Sequence, residues 1–339
     1  MHTYQLHRGR GLEGLERITL TRRPLQPHEV RLRVHAASLN YRDLILARGG
    51  SPERPPLVPL SDGAGEVLEA GRAVTAVAPG DRVTAAFYPD WLDGPPTVAG
   101  TALGLGGGGA GWLTQELVMP GQALIKLPAH FSYREGATLT CAGTAAWHAL
   151  FEAGSLKPGS TVLLQGTGGV SLWALQLAKA AGMRVIITSS DDAKLDFART
   201  LGADATINYR THPEWSVEAR RLSGGEGVDL VVDVGGRGTL TQSLRSVRMA
   251  GAVAVVGGVS GFGGELEPWA LIDGASRLLG VLVGSRAMTE RLARFAELHS
   301  IRPVIDRTFG FNQVPEAYAW LESAQHLGKV VIDTTAPLL

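Results

Sequence analysis

"GSTVLLQGTGGVSLWALQLAKAAGMRVIITSS", Gly159 to Ser190, is the stretch that decides the fold. It reads as a short apolar strand, a glycine-rich turn, a helix-length segment and a second apolar strand. The helical segment carries Leu172, Leu175, Leu177 and Ala178 on a broad apolar face. The alternation continues through "ADATINY", "GVDLVVDVGG", "AGAVAVVGG" and "SRLLGVLVGS". Continuous apolar strands separated by helix-length connections predict a parallel sheet covered on both faces. Within it, "GTGGVS" follows a strand directly and opens a helix. Glycine permits the tight turn and a close backbone approach to a pyrophosphate, whose charge the helix N-terminus favours. Gly166, Thr167, Gly168, Gly169 and Val170 are therefore candidate cofactor-binding residues, with Ser171 standing where a third glycine is usual.

The end of the second strand speaks to which nucleotide. A site for NAD usually places a carboxylate there, to hold both ribose hydroxyls. This chain has Ser189 and Ser190, whose hydroxyls would donate to a 2′-phosphate that a carboxylate would repel. Lys194, one helical turn on, supplies a positive charge unless it is a solvated helix lysine, and Tyr209 in "INYR" is placed to close the same site. Asp191 and Asp192 cut the other way, although the start of a helix also suits them as caps. The expectation is NADP over NAD.

Outward from this core the texture is different. Before about residue 120, "EVRLRVHAASLN", "GAGEVLEAG" and "GDRVTAAF" alternate apolar and polar residues between turn signals, which predicts a β-rich region. The loop "LGLGGGGAGWL", Leu103 to Leu113, reads as a flexible surface connection or as a moving lid. The end of the chain, "RTFGFNQVPEAYAWLESAQHLGKVVIDT", is too short for a domain and should rejoin the first one. With 339 residues, 45% hydrophobic and 19% charged, the composition is globular. Lys plus Arg and Asp plus Glu are each 32, a balance that offers no electrostatic footprint for nucleic acid or an anionic membrane. No apolar stretch is long enough to span a bilayer, and the single cysteine, Cys141, excludes an internal disulfide. A cytoplasmic protein is expected.

In order along the chain, "LNYRDLILARG", "PLSDGAGEV", "GDRV", "CAGTAAWHAL", "LLQGTGGVS", "TLGADATINYR", "DLVVDVGG" and "GKVVI" resemble the medium-chain dehydrogenase/reductase superfamily. The likeness is to its zinc-independent quinone oxidoreductase-like and zinc-type alcohol dehydrogenase-like branch, and it runs from about Val30 to Ile332. It implies an α/β protein: a GroES-like β domain, 1–125 with 300–339, and a doubly wound parallel-sheet (Rossmann) NAD(P)-binding domain, 126–299. It also implies a homodimer joined through the edge strand "RLLGVLVGS". Gly257, in "AGAVAVVGG", and Lys329, in "GKVVI", join the expected cofactor-binding set.

Zinc-containing relatives use Cys, His and Cys as catalytic ligands, and the resemblance places these on Asn40, Ser61 and Cys141. Neutral Asn and Ser are poor zinc ligands, and Asp43 and Asp62 beside one cysteine would make an unusual set. No metal is expected, and Cys141 is expected as a buried small residue at a helix start. Without a Lewis acid, oxidation of an unactivated alcohol is hard, while quinones and α,β-unsaturated carbonyls accept hydride at carbon if donors steady the oxygen. Asn40, Tyr41 and Ser61 are the candidate donors, with Asp43 beside them; Arg42 and Asp43 could instead brace the loop, and Asn40 could simply hold its turn. Tyr88 and Trp91 are further aromatic candidates, and His35, His148 and His326 are expected to be structural. Enoyl reductases of the superfamily resemble one another in a tyrosine that "ILARGGSPERPPLVPL" lacks, which argues against an enoyl-thioester substrate. The expected activity is NADPH-dependent reduction of a quinone or enone. The alternatives are a metal-free NADP-linked alcohol dehydrogenase and a weakly catalytic NADPH-binding sensor.

Overall fold

Strand Thr161–Gln165, at the head of the quoted stretch, lies third in a six-stranded sheet whose pairings are all parallel. Across the sheet the strands run Ala205–Asn208, Arg184–Ser189, Thr161–Gln165, Val228–Asp233, Val247–Val255 and Arg277–Gly280. Numbered within the sheet this is the order 3-2-1-4-5-6, so the chain reverses direction across the sheet next to Thr161–Gln165. Ligands of such sheets bind outside the strand C-termini at this switch. Val162, Leu163, Leu164, Ile186, Ile187, Val231 and Val232 are fully buried. Burial on both faces is the physical reason these strands are continuously apolar rather than alternating.

The computed structural model describes residues 1–49, 55–266 and 268–336. By internal contacts the chain divides into two units, Met1–Thr144 with Gly284–Leu339, and Ala145–Val283. The boundaries expected at 125/126 and 299/300 fall inside the first unit. The reason is packing: helix Arg286–Leu298 lies against strand Leu124–Lys126 and the wide turn Leu139–Gly143, and Thr289 Oγ1 meets Thr144 Oγ1 at 2.8 Å.

In the first unit, strand Glu29–Leu39 is the hub of a seven-stranded sheet. It pairs antiparallel with Asp62–Ala70, Lys329–Asp333 and Glu116–Pro120. The C-terminal strand thus rejoins the N-terminal half, as its short length required. Register then does the positioning. Leu39 pairs with Val330 and Ser38 with Asp62. The next residue beyond each pair brings Asn40 and Lys329 to the same sheet end as Asp62.

The glycine loop is packed against the segment Val58–Leu60. Leu105 and Trp112 are buried, Trp112 N–H donates to Leu60 O at 2.9 Å, and Leu113 N–H to Pro59 O at 3.2 Å. A side-chain carbon at Gly106 would overlap the Leu60 backbone, and one at Gly111 would overlap the carbonyls of Val58 and Pro59. Gly106 and Gly111 serve close backbone approach, and there the loop clamps the segment that leads into Ser61. Leu60 itself has φ 71, an uncommon conformation for a side chain of its size, held by this clamp. Among the described residues, no helix is long and apolar enough to cross a membrane.

Candidate active site

Four buried or half-buried polar residues meet at that sheet end. Lys329 is 2% exposed, and its Nζ donates to Leu39 O at 2.7 Å and to Asn40 Oδ1 at 2.5 Å. Asp62 Oδ2 lies 3.6 Å from the same ammonium, an ion pair beyond hydrogen-bond reach. Ser61 Oγ donates to Asp62 Oδ1 at 2.8 Å. The Ser61 proton, expected for a substrate, is thus given to Asp62. Lys329, expected on the cofactor, here turns its charge onto Asn40 and Asp62. Asn40 Nδ2 is buried with no hydrogen-bond partner.

Asn40 also caps helix Tyr41–Arg48, where Asp43 Oδ2 accepts the Asn40 N–H at 2.8 Å in a capping box. Burial pushes the Asp43 carboxyl up from 3.8 to about 6, against the pull of Arg42. Arg42 Nη1 stands 3.7 Å from Asp43 Oδ1 and donates to Leu105 O at 3.1 Å, so it braces the glycine loop. Tyr41 packs its ring against the core of this unit. Trp91 is buried and donates to Gly94 O, and the Tyr88 hydroxyl titrates high through burial. His35 stacks on Tyr133 at 4.0 Å, and His148 Nδ1 meets Val283 O at 2.9 Å. Residues 50–54, inside the segment that lacks the enoyl-reductase tyrosine, lie outside the described residues.

The donor set does not suit zinc. Cys141 is only partly buried as a residue, and desolvation and the Asp62 charge push its thiol up to about 12. The ammonium of Lys329 stands against Asn40 and Asp62, where a second cation would be repelled. Among the described residues there is no group of three or more His, Cys, Asp or Glu able to hold a metal ion.

The second unit carries the nucleotide turn. Gly166 has φ 70, and a side-chain carbon on Gly166 or Gly168 would meet no protein atom within 4 Å. Packing therefore does not explain Gly168, and the open space over the start of helix Gly169–Ala180 fits a pyrophosphate. Ser171 Oγ donates to Gln165 O at 2.6 Å, tying helix to strand at the position of the missing glycine. Gly257 packs its backbone against Val234, where a side-chain carbon would come within 3.1 Å of the carbonyl. Ser189 is buried, and its Oγ accepts the Asp191 N–H at 3.3 Å, which leaves its own proton available. Ser190 is half-buried beside it; Asp191 caps helix Asp192–Thr200 by accepting the Lys194 N–H, and Asp192 accepts from Asn208. Tyr209 is 42% exposed, its N–H on Ser189 O.

One network escaped the sequence. Gln165 Nε2 donates to Asp233 Oδ2 and Ser243 Oγ, while Gln165 Oε1 accepts from Val234 and Gly235 N–H. It fixes the ends of two neighbouring strands at the switch point. Only Gln165, a polar residue closing an apolar strand, hinted at it.

Residues 26–129 match the alcohol dehydrogenase GroES-like domain, and residues 169–297 match the zinc-binding dehydrogenase domain. A zinc-type alcohol dehydrogenase-like protein of Schizosaccharomyces pombe is 41% identical over 316 residues, 91% of each chain. The chain belongs to the medium-chain dehydrogenase/reductase superfamily. Its relatives in that superfamily include the acryloyl-coenzyme A reductase of Metallosphaera sedula, 30% identical over 319 residues, 90% of this chain and 92% of that one. Quinone oxidoreductase-like proteins are also among them. A solved NAD-dependent alcohol dehydrogenase superposes with a TM-score of 0.90 at 32% identity, covering 98% of this chain and 100% of that one. This member of the superfamily is an enzyme, an oxidoreductase of an NAD(P)-dependent family.

Proposed function

We propose that the enzyme is a zinc-independent reductase that uses NADPH to reduce a quinone or an α,β-unsaturated carbonyl. The observation that carries this reading is the buried Asn40 amide, whose Nδ2 has no hydrogen-bond partner, at the position where zinc relatives hold their metal. The reduced nicotinamide supplies hydride when bound. As hydride joins the acceptor carbon, the displaced π pair settles on the acceptor oxygen, and a proton from solvent completes the product. Asn40 Nδ2 donates to that oxygen, and the fixed charge of Lys329 lies one bond network away. Preorganised donors of this kind lower the barrier because they need no reorientation as charge develops.

The turn Gly166–Val170 would hold the pyrophosphate, with Ser189, Ser190 and Lys194 toward the 2′-phosphate. The relative named for acryloyl-coenzyme A keeps a conjugated thioester within reach as acceptor, despite the missing tyrosine. Alcohol oxidation is the second reading, favoured by the alcohol dehydrogenase of like fold. A homodimer is part of the proposal: strand Arg277–Gly280 lies at the sheet edge, and Phe262, Trp269 and Ile272 are each at least 65% exposed nearby in sequence. A single cysteine fits a reducing compartment, hence a cytoplasmic location.

The test is oxidation of NADPH and NADH over a panel of quinones, enones, enoyl thioesters and aldehydes, with allylic and benzylic alcohols assayed in reverse. The proposal expects turnover with NADPH on a quinone or conjugated carbonyl. Turnover of alcohols alone would replace it with the second reading, and tight NADPH binding without turnover would favour a sensor.

A further inference from the structure

We infer that Lys329 is a positioning residue that sets which edge of the Asn40 amide faces the substrate. This rests on the proposed role of Asn40 as oxygen-binding donor and adds a cause for it. An ammonium has three donors and no acceptor, so only the oxygen of an amide can face it. Lys329 Nζ is 2.5 Å from Asn40 Oδ1. The ammonium is itself fixed by Leu39 O at 2.7 Å and by the Asp62 charge at 3.6 Å. Asp62 in turn is oriented by Ser61. With Oδ1 committed, Nδ2 must point away from Lys329, and Nδ2 is the atom left buried without a partner. An amide free to flip would present its acceptor edge to the developing oxyanion part of the time. A buried donor without an acceptor is costly to maintain, and a substrate oxygen would satisfy it. Ser61, at the second ligand position of zinc relatives, and its neighbour Asp62 thereby act through Lys329 on the amide that stands in the first ligand position.

The experiment compares Asn40→Ala, Lys329→Met, the double variant and Lys329→Arg. Each is assayed for kcat on the best acceptor found, for NADPH affinity by fluorescence titration, and for melting by circular dichroism. The expected result is a kcat loss in Lys329→Met of about 10-fold to 10²-fold, similar to Asn40→Ala, with NADPH affinity within about threefold of the unaltered enzyme. The double variant should be no slower than Asn40→Ala alone, because the two residues act as one unit. Lys329→Arg, which keeps a cationic donor, should recover most of the rate. If Lys329→Met does not fold, Lys329→Met with Asp62→Asn removes the charges together and takes its place in the cycle. Multiplying losses in the double variant, or a Lys329→Met that chiefly weakens NADPH binding, would overturn the inference and return Lys329 to the cofactor. A fully active Asn40→Ala would instead overturn the donor role on which it rests.

Discussion

The ammonium of Lys329 and the carboxylate of Asp62 stand 3.6 Å apart with 2% and 0% of their side chains exposed, bridging the C-terminal strand and the strand that follows Ser61. Removing one partner of a buried pair leaves the other charge uncompensated, at about 3–5 kcal/mol. Asp62→Ala should therefore lower stability by about 3 kcal/mol, the low end, because Lys329 keeps two further acceptors. Urea midpoints at fixed salt measure this, and a loss below about 1 kcal/mol would mean the pair is already solvated.

Asp43 gives the stability a pH signature. Its carboxyl is raised from 3.8 to about 6 by burial, so between those values the folded chain binds more protons than the unfolded one. Stability from this group is highest below about pH 4 and falls as pH rises through about 6, by about 3 kcal/mol in all. Asp43→Asn keeps an acceptor for the Asn40 N–H and loses the titration. Its stability relative to the unaltered protein should rise between pH 4 and 6.5, read from urea midpoints across that range. A difference that stays flat with pH would refute the shift.

Gly63 lies under the indole of Trp112, and a side-chain carbon there would overlap the ring. Both are buried. Gly63→Ala should destabilise by about 1–3 kcal/mol through overpacking, since neither strand nor ring has space to yield. Thermal melts check this. An unchanged melting temperature would show that the clamp around Ser61 is looser than its contacts imply.

How much of this was legible in the residues follows from range. The parallel sheet and its glycine turn were readable because strand, turn and helix are contiguous from Thr161 to Ala180, and two-sided burial writes itself as unbroken apolar runs. The packing of the glycine loop was not legible because Gly106 and Gly111 answer to Val58–Leu60, more than forty residues earlier, and local flexibility and distant close packing look alike in sequence. Lys329 shows the same limit. It stands 289 residues from Asn40, and only the antiparallel register of three strands brings them together. Ser61 could be placed at the old ligand position, but the direction of its proton depends on Asp62, which no spacing reveals.

Cofactor choice is tested at Ser189. Its buried hydroxyl ends strand Arg184–Ser189 with a proton still to give. Unaltered enzyme should bind NADPH more tightly than NADH, and Ser189→Asp should erase or reverse the preference, a change of at least about tenfold in relative affinity. Equal affinities before substitution would contradict the assignment.

The central claim, hydride transfer without a metal, is tested most directly by measuring zinc content and NADPH oxidation on one preparation, before and after dialysis against a strong chelator. The account predicts far less than one zinc per chain and an unchanged rate on the best acceptor. One zinc per chain, lost together with activity and restored together with it, would contradict it.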